Sequence, residues 1–278
     1  MKIAGTMLKV LIAGIAILVF QTVAAAIVPI NVQMPPNTLR WVVITDFLTA
    51  AALVLAAVRS DWEGWRLGVA ISIIPVTFSV TSMIESSIFL TNIAIDWPRI
   101  VAQHVITFEL AVPLWILLFA KRGGSPEAYR SMNSRSSRER LWKFLLSDFS
   151  YLALYYMAGT IVFPFVKDFY ATQTLPPLGR LVAMQLVVRG PIFVGICLLL
   201  LRLMRLPRWS GALAVGAIFT VLNGVTALLI PNPYLPDAVR WAHLCEVTSS
   251  NFVFGVIVGW LWGHPNPKVR LQDGPALP

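Results

Sequence analysis

Charge is scarce in this sequence. Only 13% of its 278 residues are Asp, Glu, Lys or Arg, against 57% hydrophobic, and no soluble surface can be assembled from that mixture. Cysteine is scarcer still. Cys197 and Cys245 are the two in the chain, each inside an apolar stretch, so no disulfide framework organises the fold. The sequence also lacks a G-x-x-x-x-G-K-[ST] phosphate loop, a G-x-S-x-G nucleophile elbow, a C-x-x-C pair and an H-E-x-x-H motif, the signatures that position phosphate, acyl or zinc chemistry. Nor is there a polar segment long enough to bury a core of its own. ATP-driven transport by this chain alone is therefore unsupported, and neither a cofactor nor a metal is expected.

Apolar runs are abundant instead. A bilayer core about 30 Å thick takes about 20 apolar residues per helix. Such windows recur at 8–30, 41–58, 67–91, 100–120, 144–166, 181–201, 210–230 and 241–262. The expected fold is all-α: a polytopic integral membrane protein of about eight transmembrane helices. A membrane barrel would need short alternating strands, which uninterrupted runs such as Ile192 to Leu201 do not supply. The first run imitates a signal peptide, with Lys2 and Lys9 before it and Ala24-Ala25-Ala26 near its end. Its continuation through Ile27, Val28 and Ile30 gives spanning length, and a retained helix is expected.

The net charge of +9 does not point to nucleic acid, because the basic residues sit at helix ends. With a cytoplasmic N-terminus, sixteen Lys and Arg fall on the inner side, seven of them between Lys121 and Lys143. Five fall outside: Arg40, Arg99, Lys167, Arg180 and Arg240. The asymmetry places both termini in the cytoplasm, with a bacterial plasma membrane as the expected location. Nine of the ten tryptophans, all but Trp115, lie near predicted ends, as an interfacial belt requires.

Landmarks repeat along the chain. Pro35-Pro36 and Arg40 open the second helix, and Pro176-Pro177 and Arg180 open the sixth. Arg40 to Arg99 covers 59 positions and Arg180 to Arg240 covers 60. The expected organisation is a first four-helix half over 1–120, a basic cytoplasmic linker over 121–143, and a second four-helix half with a short tail over 144–278. An even number of helices per half makes the repeat parallel.

Ionisable residues inside a span cost at least about 2.5 kcal/mol at the centre and normally face the bundle interior. Asp46, Glu85, His104, Glu109, Arg189, His243 and Glu246 are in this position, all in the outer half by helix counting, whereas Asp148 falls near the cytoplasmic surface. Arg189 cannot lose its charge and requires a partner, with Asp46, Glu85 and Glu109 the candidates. Gly190-Pro191 follows it, and the missing amide predicts a kinked or broken helix.

Arg240, His243 and Glu246 recur every three residues, with Asn251 returning to the Arg240 direction. His243 with Glu246 could act as general base and orienting carboxylate. Thr77, Thr81 and Glu85 form a polar stripe, read mainly as glue between helices. Tyr151, Tyr155 and Tyr156 read mainly as an aromatic packing face.

The expected substrate- or ion-binding set is Arg189, Asp46, Glu85, Glu109, His104, His243, Glu246, Arg240 and Asn251. The favoured reading is a secondary carrier for a small polar or anionic solute, through an outward-facing polar cavity. The alternatives are an intramembrane enzyme on a lipid or lipid-linked substrate, using His243 and Glu246, and a non-catalytic assembly protein. The partners expected are the bilayer and a small anionic solute or lipid headgroup.

Overall fold

A computed structural model describes residues 3–119, 136–204 and 206–263. Eight helices among them are long and apolar enough to cross a membrane: α1 Ile3–Ile27, α2 Thr38–Val58, α3 Gly64–Phe89, α4 Trp97–Leu118, α5 Ser137–Tyr170, α6 Leu178–Leu203, α7 Arg208–Leu229 and α8 Asp237–Trp262. The chain is a multi-pass helical membrane protein. Consecutive helices run in opposite directions, so loops 28–37, 90–96, 171–177 and 230–236 share one face. This is the face poor in basic residues. The interhelical segment 120–135 and the tail 264–278 lie outside the described residues, and most of the expected linker falls there.

The fifth helix differs most from expectation. It starts at Ser137 rather than at 144 and runs for 34 residues, about 51 Å at 1.5 Å per residue, longer than a bilayer core. The reason is local. Ser136 accepts a hydrogen bond from the Glu139 amide at 3.1 Å, the S-x-x-E arrangement that starts helices, and Glu139 pairs with Lys143 at 2.7 Å. These polar turns are helical before the apolar stretch begins.

Helices α2, α3, α6 and α7 form the centre of the bundle, with about half of each apolar stretch buried. Helices α1, α4, α5 and α8 flank them, with only about a quarter of each apolar stretch buried, in keeping with a lipid-facing layer. In the first half α1 packs on α2 and α4, and α3 on α4. In the second, α5 packs on α6 and α8, and α7 on α8. The α7–α8 contact is the closest in the molecule. A Cβ on Gly255 would approach the Gly216 Cα to 2.6 Å, and one on Gly259 the Ala212 Cα to 2.5 Å. Gly255 and Gly259 form a G-x-x-x-G stripe that lets two backbones meet, the main source of helix association where lipid offers no hydrophobic drive.

Two helices carry a π turn, Gln185–Arg189 in α6 and Val221–Val225 in α7. The expected break at Gly190-Pro191 is therefore not a break. Helix α6 continues through it, because widening the preceding turn to i→i+5 bonding accommodates a residue that has no amide to donate. Buried aromatic rings fill the centre of the bundle edge to face: Phe78 with Phe219 at 5.0 Å, Phe193 with Phe219 at 5.1 Å and Phe219 with Phe254 at 5.4 Å between centroids.

Candidate functional site

A cavity of about 560 Å³ lies between these rings and the basic-poor face, among α3, α5, α6, α7 and α8. Its floor follows from chain direction. Phe193 lies one turn beyond Arg189, and Phe254, Phe219 and Phe78 all lie on the basic-rich side of the cavity residues of their own helices. The lining is mainly apolar, with two polar clusters set into it.

The first cluster surrounds Arg189. Its guanidinium forms a short ion pair with Glu85 of α3 and lies 4.9 Å from the Phe193 ring centroid, a cation–π contact. Tyr155 of α5 donates its hydroxyl to Glu85 Oε1 at 2.9 Å. Gln185, one turn before Arg189, accepts from the Tyr151 hydroxyl at 3.0 Å and from Arg189 Nη1 at 3.4 Å. The π turn contains both Gln185 and Arg189 and directs them to one side of α6. Arg189 is buried, whereas the Glu85 side chain keeps 25% exposure toward the cavity.

The second cluster lies on α8. Tyr170 Oη is 2.9 Å from His243 Nε2, and His243 Nδ1 is 2.7 Å from Glu246 Oε2. Both ring nitrogens are thus engaged, and the histidine orientation is held from α5 and from its own helix. Beyond it, Asn251 of α8 and Asn223 in the π turn of α7 line the cavity. Asn251 Nδ2 and Asn223 Oδ1 have no hydrogen-bond partner among the described residues.

The wall between α3 and α5 is the weakest. These helices face each other across the cavity without extensive packing, and α6 before its π turn makes few contacts with any neighbour. Of the central helices, α2 and α7 pack more closely than α3 and α6. Above the gap the loops are tied together: Asn92 donates its side-chain amide to the Thr172 carbonyl, and the Thr174 amide donates to Thr91 Oγ1 at 3.0 Å.

Of the nine residues expected to form a site, the structure brings Arg189, Glu85, His243, Glu246 and Asn251 to this cavity. Asp46 is buried in α2 away from it. On α4, His104 bonds through Nδ1 to the Ile100 carbonyl of its own helix at 2.9 Å, and Glu109 is exposed. Helix α4 does not reach the cavity, so the partner of Arg189 is Glu85 and not Asp46 or Glu109. Arg240 is used elsewhere. It donates to the Leu228 and Leu229 carbonyls at 2.8 and 3.1 Å and pairs with Asp237 at 2.8 Å, closing the end of α7 whose carbonyls have no helical amide to receive.

Three further expectations change. The Thr77 and Thr81 hydroxyls bond back to the carbonyls of Ile73 and Thr77 at 2.8 and 2.9 Å, leaving Glu85 as the member of that stripe that reaches the cavity. Tyr151 and Tyr155 do pack against other rings, yet their hydroxyls also serve the Arg189 cluster. Asp148 lies deeper than its position in the chain suggested, because α5 begins about two turns earlier. It is buried against Gly190, where an added Cβ would overlap its carboxylate. Gln185 and Tyr170 were not singled out by the sequence. Their signal was faint: Gln185 precedes Arg189 by four residues, and Tyr170 ends an aromatic-rich segment.

No protein-family model matches the chain, and no significant match was found to a curated protein or to a solved structure.

Proposed function

We propose that this protein is a membrane carrier for an amphipathic anion, an apolar body bearing one anionic head, which Arg189 binds in competition with Glu85. The observation that carries this reading is a buried arginine held at the wall of a mainly apolar cavity by a carboxylate from another helix. A strictly polar solute would leave most of that lining unsatisfied, whereas an alkyl or aryl body would cover it.

The basic-rich face is the cytoplasmic one in this reading, with both termini inside and the chain in a bacterial plasma membrane. The cavity then faces outward, and the Phe78, Phe193, Phe219 and Phe254 rings form the inner barrier. Access is lateral, past the loosely held start of α6 between α3 and α5. The halves are read as parallel copies related by an axis along the membrane normal. Matched neighbour pairings support this, as does the isolated bridge between Ser60, just after α2, and Met204, just after α6. The cavity is where the two copies differ: α2 and α7 pack, and α3 and α6 splay.

Uptake of octanesulfonate into proteoliposomes tests the reading. The wild-type protein is expected to increase uptake over empty vesicles and Arg189→Gln to abolish the increment. A second arm presents a single-chain phospholipid in the outer leaflet, separating a water-borne anion from a lipid as the source of the head. Equal uptake by Arg189→Gln and wild type would remove the central claim.

The Tyr170–His243–Glu246 series favours one second reading, an intramembrane enzyme in which His243 takes a proton from the nucleophile and Glu246 holds the ring. Product formation from a lipid ester, abolished by His243→Ala with binding intact, would select it over the carrier.

A further inference from the structure

The ion pair that holds the cavity wall has a consequence for what must enter with the anion. In the empty cavity the Arg189 and Glu85 charges cancel. An anionic head that takes the guanidinium leaves three charges, two of them negative, with the Glu85 carboxylate separated from its partner. The exposed quarter of Glu85 faces the cavity, so the same ligand that displaces it also removes the water that would solvate it. A carboxylate without a cation or water is far less favourable than its neutral form.

Resting on the carrier reading, we infer that the anion and one proton bind together, the proton being taken by Glu85 as its pair with Arg189 opens. Charge balances throughout. The Arg189–Glu85 pair breaks, the Arg189–anion pair forms, a proton from water closes an O–H bond on the Glu85 carboxyl, and the site remains neutral. The Tyr155 hydroxyl, already on Glu85 Oε1, stays within reach of the protonated group and can accept from it.

The surrounding groups leave Glu85 best placed for this role. Arg189 from α6 and the Tyr151, Tyr155 and Tyr170 hydroxyls from α5 interact electrostatically with it. From α8 the cavity receives His243, already bonded at both nitrogens, and Glu246, paired with that ring. Helix α4, packed along α3, carries His104, bonded to its own helix, and the exposed Glu109. Helix α2 carries Asp46, and α5 also carries Asp148; neither lines the cavity. The cavity-facing part of α7 supplies Asn223, which does not titrate.

Calorimetry of octanesulfonate binding to the full chain in nanodiscs, at one pH in two buffers of different ionisation enthalpy, reads the protons taken up per ligand. The sulfonate is anionic throughout and brings no proton of its own. The expected uptake is about one proton, with affinity falling up to about tenfold per pH unit as pH rises. Glu85→Gln is expected to bind without proton uptake and without that pH dependence, and His104→Asn, outside the cavity, to retain both. Binding by the wild type with no proton uptake overturns the inference and leaves the carrier reading standing. Proton uptake that persists in Glu85→Gln also overturns it. Absence of any binding by the wild type overturns both readings. Should Glu85→Gln fail to fold, the wild-type proton count alone decides, since zero uptake is incompatible with the exchange.

Discussion

Glu85, one turn from the end of α3, closes an ion pair with Arg189, eleven residues into α6. The pair joins the two halves of the chain across a sparsely packed central helix interface. It therefore acts as a structural clasp at the wall of the cavity.

Breaking the clasp from one side should be worse than removing it. Glu85→Gln leaves a buried guanidinium without its anion, for which about 2–4 kcal/mol is expected, at or below the usual range for a buried pair because Glu85 is partly exposed. Glu85→Gln with Arg189→Met should recover much of that loss, giving a clear coupling energy between the sites. Thermal unfolding of the four proteins in one detergent measures it. Strict additivity would show that the pair contributes nothing to holding α3 against α6.

Gly190 should not tolerate a methyl group. Its position against the Asp148 carboxylate means that Gly190→Ala must push α5 away or force the carboxylate to turn, for about 1–3 kcal/mol. Asp148→Ala removes the obstacle together with a buried oxygen that has no hydrogen-bond partner among the described residues. The double variant is expected to approach wild-type stability. A Gly190→Ala melting curve that matches wild type would show that α5 and α6 are farther apart than described.

Orientation is open to cysteine labelling in a Cys245→Ser background, where Cys197 is buried. Ala94→Cys, in the exposed loop on the basic-poor face, should react with an impermeant maleimide in intact cells. Arg66→Cys, exposed at the start of α3, should react only after the membrane is opened. The reverse pattern would invert the assignment of inside and outside, and with it the direction in which the cavity faces.

The sequence by itself determined the membrane-spanning architecture. Low charge, eight apolar windows and polar gaps are one-dimensional properties, and a backbone that must satisfy its own hydrogen bonds in lipid has little choice but to become helical. That is why all eight windows fall on helices, several boundaries lying within two or three residues. The S-x-x-E at Ser136 and the G-x-x-x-G at Gly255 are one-dimensional signals too, yet the apolar windows alone start the fifth helix at 144 and give the glycine pair no part.

Tertiary structure alone decided which of the buried charges meet. Asp46, Glu85 and Glu109 are equivalent partners for Arg189 when only depth is known, because depth leaves the rotation and neighbourhood of each helix undefined. Placing α4 on the outside of the bundle removes Glu109 and His104, and Arg189 and Asn223, from the π turns of α6 and α7, line one cavity. A π turn arises from the fit between helices around a residue that cannot donate, as at Pro191, so its effect on side-chain direction is visible only once the neighbours are in place.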